Sequence, residues 1–209
     1  MSLKGKRILI TAGPTWVSID PVRVISNSAS GETGKRLAES CARAGGRVTL
    51  LLGPGEKPAG NKKISVKRFT FFDELQRLFR GELLRQYDVV IHSAAVSDYR
   101  PLREARTKIS SRARSWSCTF VPTPKLISMI KKTSAGSYAV GFKYEPRTAA
   151  ATLIRKARDL MDSCRLDAVV ANTAIDGKYR AYIVTPEGVS AVCTSKVQLV
   201  RQLTKLVSL

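Results

Sequence analysis

Four separated segments carry residue types suited to gripping and activating a small anionic molecule. The first runs Thr11-Ala12-Gly13-Pro14-Thr15, then from Ile19-Asp20-Pro21-Val22-Arg23 through Ser26-Asn27-Ser28-Ala29-Ser30-Gly31-Glu32-Thr33-Gly34. The second is Ala94-Ala95-Val96-Ser97-Asp98-Tyr99-Arg100-Pro101, and the third is Lys108-Ile109-Ser110-Ser111. Gly141-Phe142-Lys143, with the later Ala171-Asn172, forms the fourth. Gly13, Gly31 and Gly34 have no Cβ, so backbone N–H groups can come close to phosphate oxygens. A helix opening near Gly31 adds a partial positive charge at its N-terminus, and Ser30 adds a hydroxyl donor. Arg23 offers a forked guanidinium for a phosphate, and Asn27 an amide donor without formal charge. Ala94 and Ala95 are small enough to floor a pocket. Asp98 follows a strand, where a carboxylate meets a ligand or caps a turn. Lys108 sits in the stretch Arg103 to Arg114, too polar for a core and suited to a mobile flap.

These segments need a scaffold that brings strand ends together. Arg7 to Thr11, Val48 to Leu52 and Asp88 to Ala95 are consecutive apolar runs of buried-strand length. Between the first two, Leu37, Ala38, Cys41 and Ala44 make one apolar helix face, ended by Gly45-Gly46. Further strands are expected at Ile64 to Phe71, Ser115 to Val121, Tyr138 to Phe142 and Asp167 to Ala171. Helices are expected at Asp73 to Leu84, Pro124 to Lys132, Thr148 to Ser163 and Ser195 to Val207. Tyr179 to Val184 and Val189 to Cys193 flank the turn-forming Thr185-Pro186-Glu187-Gly188 and read as an antiparallel hairpin. Alternating strands and helices imply an α/β, Rossmann-like three-layer sandwich: a mainly parallel sheet with an antiparallel hairpin extension. Residues 1–209 read as a single domain with a flexible flap at about 100–114 and a hairpin at about 179–193. Ligands belong at the carboxyl ends of its strands.

Bulk properties narrow the function. Cys41, Cys118, Cys164 and Cys193 are scattered, and His92 is the one histidine, which excludes an obvious zinc site and machinery needing several histidines. Buried, reduced thiols and a cytoplasmic location are expected. No apolar run approaches the ~18 residues of a membrane span, and no signal peptide is recognisable. Lys and Arg total 36 against 16 Asp and Glu, a net charge of +20. The charges are spread along the chain with no basic tail and no aromatic RNA-binding motif. A basic surface around a site for phosphorylated small molecules fits better than nucleic-acid binding, which rests on charge alone. Gly31-Glu32-Thr33-Gly34-Lys35 is no phosphate-binding P-loop, because Ala29 and Arg36 stand where Gly and Ser or Thr are required. Val89 to Ala95 is similar to a strand of short-chain dehydrogenases. The glycine-rich turn and the Tyr-x-x-x-Lys pair of an NAD(P)-linked oxidoreductase are missing, so that enzyme class and a basic nucleic-acid-binding protein stand as the alternatives.

Taken in order, Gly-Pro-Thr, Ile-Asp-Pro-Val-Arg-x-Ile-Ser-Asn, the Ser/Gly-rich turn and Ala-Ala-Val-x-Asp-Tyr-Arg-Pro resemble phosphopantothenoylcysteine synthetase, the ligase of coenzyme A synthesis. No segment resembles the flavin-dependent decarboxylase half of bifunctional members, so the likeness is to the stand-alone ligase, with a separate decarboxylase acting next in the pathway. The resemblance implies that 4'-phosphopantothenate is joined to L-cysteine through an acyl nucleotidylate, with CTP or ATP as co-substrate, Mg2+ and release of pyrophosphate. It assigns Gly13, Ser30, Gly31, Gly34, Ala94, Asp98, Lys108, Pro124, Phe142, Lys143 and Asn172 to the nucleotide. Phe142 would stack on the base, Lys143 reach the phosphates, and Lys108 neutralise charge as pyrophosphate leaves. Arg23, Asn27, Ala94, Ala95 and Asp98 are assigned to substrate, with Asn27 and Lys108 catalytic. Arg23 would reach the phosphopantothenate of a partner subunit, implying a homodimer. The turn departs from the family at Ala29, Glu32 and Thr33. The hydroxyl lost at Ala29 weakens the phosphate grip by about 0.5–1.5 kcal/mol if a hydrogen bond goes with it.

Overall fold

The apolar runs become strands buried on both faces because helices cover each side of one sheet. The computed structural model describes residues 2–57, 60–61, 63–80, 86–112 and 114–209. In chain order β1 (Arg7–Ala12) leads into a small hairpin, β2 (Trp16–Ser18) and β3 (Val24–Ser26), then α1 (Glu32–Arg43). Next come β4 (Arg47–Leu52), β5 (Ile64–Arg68), α2 (Phe72–Arg80) and β6 (Val89–His92). A second small hairpin pairs β7 (Tyr99–Pro101) with β8 (Phe120–Pro122), and a 3-10 turn at Leu126–Ser128 enters α3 (Met129–Thr133). The chain ends with β9 (Tyr138–Tyr144), α4 (Ala150–Cys164), β10 (Ala168–Ile175), β11 (Lys178–Thr185), β12 (Gly188–Cys193) and α5 (Lys196–Leu206).

The main sheet has the order β12-β11-β10-β9-β6-β1-β4-β5, parallel from β10 to β5 and antiparallel through β11 and β12. Alternate strand residues divide the core. Ile8, Ile10, Leu50, Ile91 and Val170 meet Leu37, Cys41, Leu199 and Leu203 of α1 and α5 on one face. Leu9, Leu51, Val90 and Val169 meet Leu75, Phe79, Ile130, Leu153 and Ala157 of α2, α3 and α4 on the other. The Rossmann-like three-layer expectation agrees with this arrangement.

Several elements differ from expectation for identifiable reasons. β5 stops at Arg68 because the Glu74 carboxylate accepts the Thr70 and Phe71 N–H groups at 2.6 and 3.1 Å, which turns the chain into α2. The rest of the helix expected to Leu84 falls on residues 81–84, outside the described set. The strand expected from Ser115 shrinks to Phe120–Pro122, paired with three residues of β7 and flanked by hydrogen bonds from Leu102 N–H to the Thr119 carbonyl and from Thr123 N–H to the Asp98 carbonyl. Pro124 does not open a helix, since Lys125 is extended and the 3-10 turn begins after it. Between β10 and β11, Asp176 and Gly177 have φ of 47° and 73°, so an Asp-Gly hairpin turn that the pattern analysis passed over joins them. Cys41 and Cys193 are buried, whereas Cys118 and Cys164 are partly exposed, so the burial expected of all four holds for two.

Gly34, in the first turn of α1, lies hard against the sheet. A Cβ there would come within 2.5 Å of the Ala12 Cβ and 2.6 Å of the Ser93 Oγ. We expect Gly34→Ala to destabilise the fold by about 1–3 kcal/mol through overpacking, a loss read directly by thermal unfolding. An unchanged Tm would show that the helix can shift freely.

Candidate active site

Successive connections leave β1 and β6 in opposite directions, α1 covering one face and α3 the other, so a crevice opens where the strand order reverses. The two chains nevertheless remain paired past the sheet's edge. Ala95 N–H donates to the Gly13 carbonyl at 3.0 Å, and Thr15 N–H to the Ala95 carbonyl at 3.3 Å. Ser97 N–H donates to Thr15 Oγ1 at 2.9 Å, and Ser97 Oγ to the Thr15 carbonyl at 3.1 Å. Below them Thr11 Oγ1 accepts the Ala94 N–H at 3.2 Å and contacts His92 Nδ1 at 2.8 Å. Burial pushes the His92 imidazole down to about 4, so the floor is uncharged near neutral pH. Asn27 closes this assembly from above, its Nδ2 donating to the carbonyls of Ala95 and Val96, both at 3.1 Å. Both amide hydrogens are thereby engaged, and Oδ1 is the Asn27 atom left for a ligand. This corrects the expectation that Asn27 donates to an acyl group.

The glycines owe their place first to chain packing. Gly13 and Gly31 have φ of 85° and 87°, and a Cβ on Gly31 would lie 2.9 Å from the Gly13 nitrogen. The start of α1 is thus seated on the end of β1, and backbone contact alone already requires a glycine at position 31. Gly31 is the N-cap of α1 with no side chain capping it, while Ser30 Oγ accepts the Glu32 N–H at 3.2 Å and keeps its own O–H to donate. An acid beside an anion-binding helix end would be unfavourable if free. Here Glu32 is clamped between Lys196 and Arg36; the Lys196 hydrogen bond leads the causes that hold its carboxyl below the ordinary value, against burial.

The segment expected as a mobile flap is docked. Ala105 N–H donates to the Ile19 carbonyl at 2.9 Å. The buried Asp20 carboxylate accepts from the N–H groups of Val22 and Arg23 at 2.8 Å, from Ile109 N–H at 3.1 Å and from the Arg23 guanidinium at 2.8 Å. That guanidinium also donates to the Ile109 carbonyl at 3.1 Å. Lys108 is exposed and adjacent to Ile109, whose backbone is held by Asp20 and Arg23. Burial raises the Asp20 carboxyl, but the hydrogen bonds from Ile109, Val22 and Arg23 and the Arg23 charge outweigh it and hold the group below its ordinary value. Residue 113 of the flap is outside the described set.

The remaining residues line the same edge on two faces. Phe142 and Asn172 share the α1 face, and Phe142 packs against that core cluster. Asn172 Oδ1 is buried with no hydrogen-bond partner, an unused acceptor of the kind that ligand recognition explains. Lys143 points the other way, 3.0 Å from Glu145, which also holds Lys156 at 2.8 Å, so it does not stand beside Phe142 as the spacing implied. Asp98 is exposed, pairs with Lys125 at 2.6 Å, and its carbonyl takes the Thr123 N–H at 2.9 Å, which brings Pro124 alongside.

Residues 3–207 match the family described as the DNA/pantothenate metabolism flavoprotein C-terminal domain. The chain belongs to this family. It is 38% identical over 174 residues to the coenzyme A biosynthesis bifunctional protein CoaBC of Thermococcus kodakarensis, covering 82% of this chain and 42% of that protein. With the protein of the same name from Vibrio vulnificus it shares 32% identity over 182 residues, or 84% of this chain and 43% of the relative. The chain thus spans less than half the length of these relatives. The DNA/pantothenate metabolism flavoprotein of Streptococcus pneumoniae superposes with a TM-score of 0.89 at 26% identity, covering 98% of this chain and 99% of that one. A Cab2 H337A mutant in complex with phosphopantothenate-cysteine shares the fold, with a TM-score of 0.76, 20% identity, and 91% and 80% coverage.

For this member of the flavoprotein C-terminal domain family, Asp20, Lys125, Glu145, Lys156 and Lys196 were missed by motif reasoning. Asp20 stood within a quoted motif and could have been singled out as an acid amid turn residues; the others pair across long sequence distances. Asp20 clamps the flap only while ionised. Because its folded value is depressed, the clamp is intact above the ordinary Asp pKa of ~3.9 and is lost as pH falls through the lowered value. We expect Asp20→Asn to speed hydrogen exchange at the Ile109 amide by roughly tenfold at pH 7. Unchanged protection there would refute the clamp.

Proposed function

We propose that the chain is a phosphopantothenate–cysteine ligase, activating the carboxylate of 4'-phosphopantothenate as an acyl nucleotidylate and transferring the acyl group to the amine of L-cysteine. The observation that carries this is the Asn27 bridge, which ties the loop after β1 to the loop after β6 and leaves its amide oxygen unengaged by either carbonyl. Family membership over residues 3–207 supports it, and neither a dehydrogenase nor a nucleic-acid binder draws similar support.

A nucleoside triphosphate fits the same edge. Ser30 and the first N–H groups of α1 face its phosphates, Lys108 neutralises the departing pyrophosphate, and the unpaired Asn172 oxygen accepts from an exocyclic amine beside Phe142. Both cytosine and adenine carry such an amine, which is why CTP and ATP are both compatible. No group of three His, Cys, Asp or Glu residues among those described could hold a metal, so Mg2+ would travel with the phosphates and meet one carboxylate, Asp98. There it would lessen repulsion between substrate anions. Asn27 Oδ1 accepts a hydrogen from the incoming amine, directing its lone pair at the acyl carbon, while Ala94 and Ala95 leave room for the substrate.

A homodimer completes the proposal. Val22, Val24, Ile25, Tyr99, Leu102, Trp116 and Phe120 are exposed apolar residues on and beside the two small hairpins, with Tyr99 at 58% and Trp116 at 50% exposure. This patch adjoins Arg23, so a second copy seated there would receive its guanidinium near substrate phosphate. The hairpin of β11 and β12 offers a second surface, since β12 is an edge strand with a free side for sheet pairing. No helix among the described residues is long and apolar enough to cross a membrane.

The test is to supply phosphopantothenate, cysteine and either CTP or ATP, and to follow CMP, AMP and pyrophosphate. Stoichiometric nucleoside monophosphate and amide product are expected, and no turnover with either nucleotide would overturn the activity. Asn27→Asp sets a carboxylate oxygen against two carbonyls and should lower turnover at least about tenfold with the fold retained; wild-type turnover would remove Asn27 from the site. Lys108→Gln should slow pyrophosphate release while Tm is unchanged, and an unaltered rate would leave Lys108 a solvated loop residue.

A further inference from the structure

The N-terminus of α4 and the hairpin of β10 and β11 enclose a cavity of about 270 Å³. Thr173, which lines it, follows Asn172 on β10 and so faces the opposite side of the sheet from Asn172. α4 is 15 residues long, starts after Ala149 with no side-chain cap, and has no acid in its first turn. The N–H groups at the start of such a helix have no intrahelical acceptor, and the helix dipole favours an anion before them. Tyr182, Arg180 and Lys178 alternate along β11 on this face and all line the cavity. Arg180 and Lys178 form no ion pair among the described residues, and Asp176 is the one acid in the lining. Tyr182 is 8% exposed, yet its phenol makes no hydrogen bond among the described residues.

We propose that this cavity is a second anion site, taking a tetrahedral phosphate group on the α4 amides, the Tyr182 hydroxyl and the Arg180 guanidinium, with Lys178 at the rim. The phosphate belongs either to inorganic phosphate or to a phosphomonoester, since both present the same oxygens. An unpaired phenol on the cavity wall, a free guanidinium and an uncapped helix end are each satisfied by one such ligand.

The experiment is an amide NMR titration of the full chain with inorganic phosphate and, separately, glycerol 2-phosphate, at ionic strength held constant with chloride. Saturable shifts at Ala150, Ala151 and Thr152 are expected, with affinity falling at least about tenfold in both Arg180→Gln and Tyr182→Phe. Ala150→Pro should weaken binding while keeping α4, because Ala149 already has φ −62° and ψ 148°, a backbone that precedes proline well. Tighter binding of the ester marks a phosphomonoester as the source, and tighter binding of inorganic phosphate marks the free ion. Absence of saturable shifts at these three amides, or shifts that survive unaltered in well-folded Arg180→Gln and Tyr182→Phe, would overturn the site. CTP titration of Arg180→Gln separates the two crevices: unchanged CTP affinity with lost phosphate response is the expected result, and parallel loss of both would merge them.

Discussion

Past Thr11 and His92, where the ladder between β1 and β6 ends, the two chains keep exchanging hydrogen bonds through Gly13, Thr15, Ala95 and Ser97. Connections that turn to opposite faces of a sheet would ordinarily diverge at this point. Here they stay parallel long enough for the Thr11 and Thr15 hydroxyls and the Asn27 amide to tie them together, so the crevice has a rigid floor. Every other site element is referred to that floor. α1 is seated on it by glycine contact, the flap hangs from Asp20 next to it, and the small hairpin of β7 and β8 grows from its far end.

Much of the fold was legible because burial on both faces leaves an unambiguous mark. Runs such as Ile8-Leu9-Ile10 and Val89-Val90-Ile91 have no solvated side, and Gly45-Gly46 ends α1 as its composition implies. What escaped notice depended on contacts between distant residues. Glu74 ends β5 by capturing two amides of the preceding turn, and β8 is defined by its pairing with β7 across the intervening flap. Asp176-Gly177 is the exception, a local turn signal hidden because the flanking residues read as two unrelated segments.

The candidate site was legible as a set of residues and less so as a set of roles. Asn27 stood in a quoted motif, but nothing in its spacing shows that both its amide hydrogens are spent on Ala95 and Val96. Gly31 likewise reads as a phosphate loop residue, whereas a Cβ there would strike the backbone of Gly13 before reaching any ligand. Lys143 and Phe142 are neighbours in sequence and lie on opposite faces, as strand geometry requires. Strand alternation was available from the sequence, and it separates their roles without any coordinates.

Glu32 and Lys196 are 164 residues apart and share one ion pair at the mouth of the phosphate-facing loop. The potential at the start of α1 is therefore set partly by the last helix of the chain, which reaches it through Lys196. Glu32 is shared between Arg36, one turn along its own helix, and Lys196, so the far end of the chain supplies part of the positive charge that offsets this acid.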